Sequence, residues 1–130
     1  MARVLVVDDA AFMRKVVSDA LVSGYKQIVQ KTGLEAYVES AGANGAMLLY
    51  RHKIRNYREW HAVDIDLWKL YWFGMLNRGV MAQPYWWDEQ WTISVQHTEA
   101  DIDKHLAAFA DIADSLAAAQ QERLGAVAAH

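Results

Sequence analysis

Trp91-Thr92-Ile93-Ser94-Val95-Gln96-His97-Thr98-Glu99-Ala100-Asp101-Ile102 changes its hydrophobic period at a single point. Trp91, Ile93 and Val95 alternate with Thr92, Ser94 and Gln96, the two-residue period of a half-buried strand. Thr98 with Asp101 three residues on is close to a capping box. Ile102, Leu106, Phe109, Ala113 and Leu116 then recur at helical spacing. A strand feeding straight into an amphipathic helix marks a chain that layers helices on a sheet.

Upstream of this junction the single proline, Pro84, closes a short apolar run, Val80 to Gln83, that reads as a strand. Before it, Leu67, Leu70, Tyr71 and Gly74 form one helical stripe that Trp68, Trp72 and Met75 widen. Asp64 or Asp66 opens that helix, where a carboxylate suits the helix dipole, and Gly79 follows its last turn. Leu34 to Ser40 and Ala46 to Arg51 read as two strands around the turn Ala41-Gly42-Ala43-Asn44-Gly45. The polar stretch His52 to His61 reads as a loop. Arg3 to Val7 is a continuous apolar run, as in a strand buried on both faces. Asp8 or Asp9 caps a helix from about Ala11 to Lys31, whose stripe is Phe12, Val16, Val17, Ala20, Leu21, Gly24 and Ile28. Gly33 stands at its C-cap position. Beyond Leu116 the last helix continues or frays. The expected fold is α/β, a two-layer sandwich of order β-α-β-β-α-β-β-α, with helices on one mixed sheet of about five strands.

A chain of 130 residues fits one domain, which commonly holds roughly 100–150. Its 54% hydrophobic and 22% charged residues are those of a globular protein, not a disordered one. No cysteine is present, so disulfides and thiolate metal sites are excluded. The formal charge of −3 offers no attraction to nucleic acid. No stretch is apolar over the roughly 18–20 residues that span a bilayer. A cytoplasmic protein with neither nucleic-acid nor membrane partners is expected. Six Trp and six Tyr, concentrated between Tyr50 and Trp91, imply a large aromatic core or a surface made to be covered.

The opening residues Ala2-Arg3-Val4-Leu5-Val6-Val7-Asp8-Asp9-Ala10-Ala11-Phe12-Met13-Arg14 resemble the start of response-regulator receivers of the chemotaxis (CheY-like) type. The resemblance covers about residues 1–20. It implies an acidic pair, Asp8 and Asp9, that binds magnesium at a strand's C-terminal edge. The later receiver motifs are missing, and Asp64, at the right distance for the phospho-acceptor, runs straight into a helical pattern. Asp8 and Asp9 are then helix caps or, at most, a weak vestigial magnesium site.

From about Gly24 to Leu116 the chain resembles the C-terminal small domain of class III, fold-type I aminotransferases, nearest the glutamate-semialdehyde aminomutase branch. The resemblance rests on Gly24-Tyr25 through Gly33-Leu34 with Gly42-Ala43-Asn44-Gly45-Ala46-Met47, on Phe73-Gly74-Met75-Leu76-Asn77-Arg78-Gly79-Val80, and on Ser94-Val95-Gln96-His97-Thr98-Glu99-Ala100-Asp101-Ile102-Asp103. It implies that the Schiff-base lysine, the partner of the pyridine nitrogen and the phosphate cradle belong to a large domain that is absent. None of Lys15, Lys26, Lys31, Lys53, Lys69 or Lys104 lies in a matching segment. Pro84 to Gln90, with Glu89 and the tryptophans, would be the remnant of a substrate-facing edge.

The five histidines show no metal-ligand spacing; His97 and His105 flank a helix start, and His52 and His61 bracket a loop. Gly42-x-x-Gly45 is a turn and not a phosphate cradle. Arg51, Lys53, Arg55 and Arg58 interleave with Tyr50, Tyr57 and Trp60 as a single-strand stacking surface would, but the net charge opposes it. With both resemblances incomplete and meeting inside one helix, between about Asp19 and Gly24, the expectation is an engineered or recombined chimera. In this reading residues 1–20 are receiver-like and residues 21–130 aminotransferase-like within one domain, without cofactor, metal or catalytic residue, and not an enzyme. The alternatives are a natural truncated aminotransferase-like binding module and a degenerate receiver that cannot be phosphorylated. A homodimer through exposed aromatic surface is also expected.

Overall fold

A computed structural model describes residues 9–84 and 90–129. In chain order the elements are α1 (Asp9–Thr32), β1 (Tyr37–Ala41), β2 (Asn44–Leu48), α2 (Tyr57–His61), α3 (Ile65–Leu76), β3 (Trp91–Thr92) and α4 (Glu99–Ala128). The strands form an antiparallel sheet in the order β1-β2-β3. Tyr37 pairs with Leu48 and Ala41 with Asn44, and Gly45 pairs with Trp91. Helix α4 packs against α1 and α3, and α1 lies against β1 and β2. This is a mixed α/β small domain.

Local chemistry sets the boundaries. Gly33, at φ 71°, ends α1 with its N–H on the Val29 carbonyl at 3.0 Å. Gly42, at φ 62°, is the first central residue of the β1–β2 turn, where glycine takes the positive φ a two-residue hairpin needs. Asp64 caps α3, its Oδ1 accepting from the N–H groups of Asp66 and Leu67, each at 3.1 Å. Thr98 and Asp101 form the expected capping box, with Thr98 N–H to Asp101 Oδ2 at 2.7 Å and Asp101 N–H to Thr98 Oγ1 at 3.4 Å. The core lies where the three long helices meet the sheet, around Leu21, Tyr25, Met47, Leu67, Trp68, Tyr71, Met75 and Phe109.

The expected mixed sheet of about five strands is corrected to three antiparallel strands among the described residues. Residues 80–83 form no strand because α3 takes their backbone groups. Val80 N–H bonds the Met75 carbonyl at 3.1 Å, and Trp72 Nε1–H bonds the Gln83 carbonyl at 2.9 Å. The strand read over Trp91 to Gln96 shortens to Trp91–Thr92. Ile93 N–H still reaches the Ala43 carbonyl at 2.8 Å, but His97 then turns back onto Ser94. The loop read over His52 to His61 contains α2, capped by Asn56 Oδ1 accepting Glu59 N–H at 3.1 Å. Helix α4 continues unbroken to Ala128. The strand read at Arg3 to Val7 lies outside the described residues, so its place in a sheet is not part of this architecture. No described helix is long and apolar enough to cross a membrane.

Candidate functional site

Three helices meet at a buried polar chain. Tyr25 of α1 and Tyr71 of α3 are wholly buried, their hydroxyls 2.7 Å apart. The Tyr25 hydroxyl also lies 2.5 Å from His105 Nε2 on α4. Burial sets the protonation of all three. It pushes the His105 imidazole down to about 4, and it raises the hydroxyl pKa of Tyr25 and Tyr71. Removing an ion from water is costly, so a neutral imidazole and two neutral phenols result.

Neutrality fixes the direction of the chain. If Tyr71 donates to Tyr25 and Tyr25 donates to His105 Nε2, every hydroxyl proton has an acceptor and Nδ1 carries the imidazole proton. The reverse direction would strand the Tyr71 proton in the core. The Tyr25 ring stacks on Trp91 at 5.6 Å, with planes 2° apart, and meets Phe109 at 4.5 Å.

His105 is also a wall of a cavity of about 280 Å³, with Gln83, Trp91, Ile93, Asp101 and Ile102 among its other walls. Gln83 is 2% exposed, and both ends of its side-chain amide lack a hydrogen-bond partner among the described residues. Trp91 Nε1 is buried without a partner as well. A larger cavity, about 530 Å³, lies between Tyr50, Asp64 and the end of α4. Its Gln120, Asp64 and Arg123 side chains are already committed. Gln120 clasps the Glu35 backbone, accepting its N–H at 2.7 Å and donating to its carbonyl at 2.9 Å. Burial would raise the Asp64 carboxyl, but Arg123 and the N–H groups of Leu67 and Asp66 outweigh that and hold it below its ordinary value. Unspent hydrogen-bonding capacity therefore singles out the smaller cavity.

Asp8, the side chain of Asp9, Trp86, Trp87 and Glu89 lie outside the described residues. The two cavities bring His97 and His105 together, and they separate Asp64 from both. Asp64, weighed as a phospho-acceptor, is spent as a helix cap and as the partner of Arg123 at 2.8 Å. Lys53 pairs with Glu39 at 2.8 Å and Arg55 with Glu59 at 2.8 Å, which neutralises much of the basic stretch. Among the described residues no group of three His, Asp or Glu side chains could hold a metal. Tyr25, Tyr71 and Gln83 were not foreseen as site residues. The available signal was a tyrosine on an apolar helical stripe, whose hydroxyl must find a partner once buried.

The comparisons bear on this geometry. No family model matches the chain. Its sequence is 28% identical over 101 residues to the glutamate-1-semialdehyde 2,1-aminomutase of Neisseria meningitidis serogroup C strain FAM18, covering 78% of this chain and 23% of that protein. It is 30% identical over 91 residues to the aminomutase of Desulfatibacillum aliphaticivorans, covering 70% and 21%. The crystal structure of the Pseudomonas aeruginosa PAO1 glutamate-1-semialdehyde aminomutase superposes with a TM-score of 0.73 at 22% identity, over 85% of this chain and 24% of that one.

The fold is that of an aminomutase's C-terminal region. The chain spans less than a quarter of the length of these relatives.

These matches correct two expectations. The chimera with a receiver half, and with it the engineered origin, gives way to similarity to one enzyme type. Helix α1 runs unbroken from Asp9 to Thr32 across the supposed join. An apolar run, an acidic cap and a helix are generic to strand–helix units, and a dozen such residues carry little family information. The expectation that the chain is not an enzyme is corrected by the same matches, since the relatives it is similar to are enzymes by name and it matches a part of each.

A pyridoxal-type cofactor can be tested against the residues present. It needs a lysine amine in a sheltered pocket, a phosphate cradle and a carboxylate for the ring nitrogen. No lysine lines either of these two cavities, and Lys26, which lines another beside Glu39, is exposed and unsheltered. Lys15, Lys53 and Lys69 are ion-paired with Asp19, Glu39 and Asp66. The described residues do not fit the cofactor.

Proposed function

We propose that these residues form the small-domain module of an aminotransferase-type enzyme of the aminomutase kind, which works against a cofactor-holding part. The observation that carries this reading is the pairing of extents: similarity along 85% of the chain corresponds to 24% of the matched structure. The absence of lysine from the cavities beside His105 and Asp64 agrees with it.

The surface agrees as well. Leu70, Phe73 and Leu76 on α3, with Met81 beyond it, are 54%, 47%, 37% and 70% exposed. An apolar patch of this kind is suited to contact with another protein surface. The module would seat its outer helical face on the cofactor-holding part and help to close over its substrate. Without that part, the same face would pair two copies of the chain, a concentration-dependent dimer that sedimentation would reveal.

The test is complementation. The Pseudomonas aminomutase would be truncated of its matched segment, loaded with pyridoxal phosphate and mixed with this chain. A stable complex that turns over glutamate-1-semialdehyde is expected. Failure of the two to associate at tens of micromolar, with both folded, would sink the proposal.

A further inference from the structure

The cavity beside His105 holds more hydrogen-bonding capacity than the fold uses. Gln83 is held in place by its backbone, whose carbonyl takes the Trp72 indole N–H at 2.9 Å. Its side chain is 2% exposed and, among the described residues, unpaired at both Nε2 and Oε1. A buried amide without partners is a standing cost to folding, and native proteins rarely retain one without use. Trp91, 5% exposed, also lines the cavity, and its indole N–H has no partner among the described residues. His105 adds Nδ1, because Nε2 is taken by Tyr25.

The charge pattern narrows the ligand. Neither lysine nor arginine lines the cavity among the described residues, and its one acidic wall is Asp101. The imidazole of His105 is neutral, and His97 uses Nδ1 to accept Ser94 N–H at 2.9 Å. A carboxylate would enter without a counter-charge and face Asp101, a like-charge contact that a neutral group avoids. A group with one acceptor and two donors would pair with both ends of Gln83 at no such penalty. Leu21, Ile93 and Ile102 supply apolar walls for the rest of the molecule. At about 280 Å³ the space admits a ring-sized fragment.

We propose that this cavity binds a small neutral ligand that presents a primary carboxamide to Gln83 and an apolar ring to Leu21, Ile93 and Ile102. The site is independent of the small-domain reading, since it requires neither the cofactor nor the part that would carry it.

The probes are benzamide, benzoate and acetophenone, titrated into the intact chain while the Trp91 indole N–H and the Gln83 side-chain amide are followed by NMR. Benzamide should shift both signals saturably, with a Kd of about 1 mM or below. Benzoate and acetophenone should bind at least about ten-fold more weakly, a difference of about 1.4 kcal/mol. Gln83→Met should weaken benzamide by a similar factor while the Trp91 signal of the free protein stays in place. Equal binding of benzamide and acetophenone, or no saturable shift with benzamide, would overturn the proposal. So would unchanged benzamide affinity in a folded Gln83→Met. If that variant fails to fold, the benzamide–acetophenone comparison on the unaltered chain still decides.

Discussion

The hydroxyls of Tyr25 and Tyr71 meet at 2.7 Å although 46 residues separate them, so one hydrogen bond joins α1 to α3 in the core. Tyr25 is the middle member of the chain and Tyr71 its end. Tyr25→Phe removes the acceptor for Tyr71 and the donor to His105, and should cost about 1–3 kcal/mol. Tyr71→Phe leaves Tyr25 still donating to His105 and should cost about 1 kcal/mol or less. Urea unfolding of both variants checks the order; a larger loss in Tyr71→Phe would contradict the assigned direction.

Acidification should weaken the fold before the carboxylates titrate. Burial lowers His105 from 6.5 to about 4. Between those values the unfolded chain binds a proton that the folded one refuses, so stability falls as pH drops from about 6.5 to about 4. Below that window both states are protonated and this contribution stops changing. At about 1.4 kcal/mol per unit, the full loss is on the order of 3 kcal/mol. Denaturation measured at half-unit steps should show the slope, and His105→Gln should flatten it.

The fold of this domain was legible in its sequence where a local rule and the tertiary context agreed. The capping box at Thr98 and Asp101, the glycine stops at Gly33 and Gly79 and the stripe of α4 all stand as the residue pattern implies. Val80 to Gln83 misled because an apolar run before a proline reads as an edge strand. Its backbone partners lie in α3, and no local pattern encodes that. The site was less legible still. Tyr25, Tyr71 and His105 come from three helices, and each taken alone is an ordinary core or surface residue.

Three glycines should respond differently to a methyl group. At Gly45 an added Cβ would sit 2.5 Å from the Trp91 ring, a rigid plate held by its stack on Tyr25. Gly45→Ala should cost about 2–3 kcal/mol. At Gly24 the clash is with the Leu106 methyls, which can rotate aside, so about 1–2 kcal/mol is expected. Leu106→Ala should restore part of that loss. Gly125 has nothing within 4 Å, and Gly125→Ala should stabilise by up to about 0.5 kcal/mol. Thermal unfolding of the three variants tests the ranking.

Gln120 deserves the opposite expectation from an exposed glutamine. Its amide satisfies both the N–H and the carbonyl of Glu35, 85 positions away in sequence. Gln120→Leu would fill the space but orphan two backbone groups, at a cost of about 2 kcal/mol. Hydrogen exchange at the Glu35 amide should accelerate in the variant; an unchanged rate would show that the clasp is dispensable.

Trp91 packs against the backbone of Gly45 and stacks on the ring of Tyr25 at the start of β3. An indole held by both has little room to tumble on its own, so with the other five tryptophans replaced by phenylalanine its emission should depolarise only as fast as the whole domain turns. The protein thus carries an internal gyroscope. Loosening of the hairpin would register there as a faster loss of polarisation, without any attached dye.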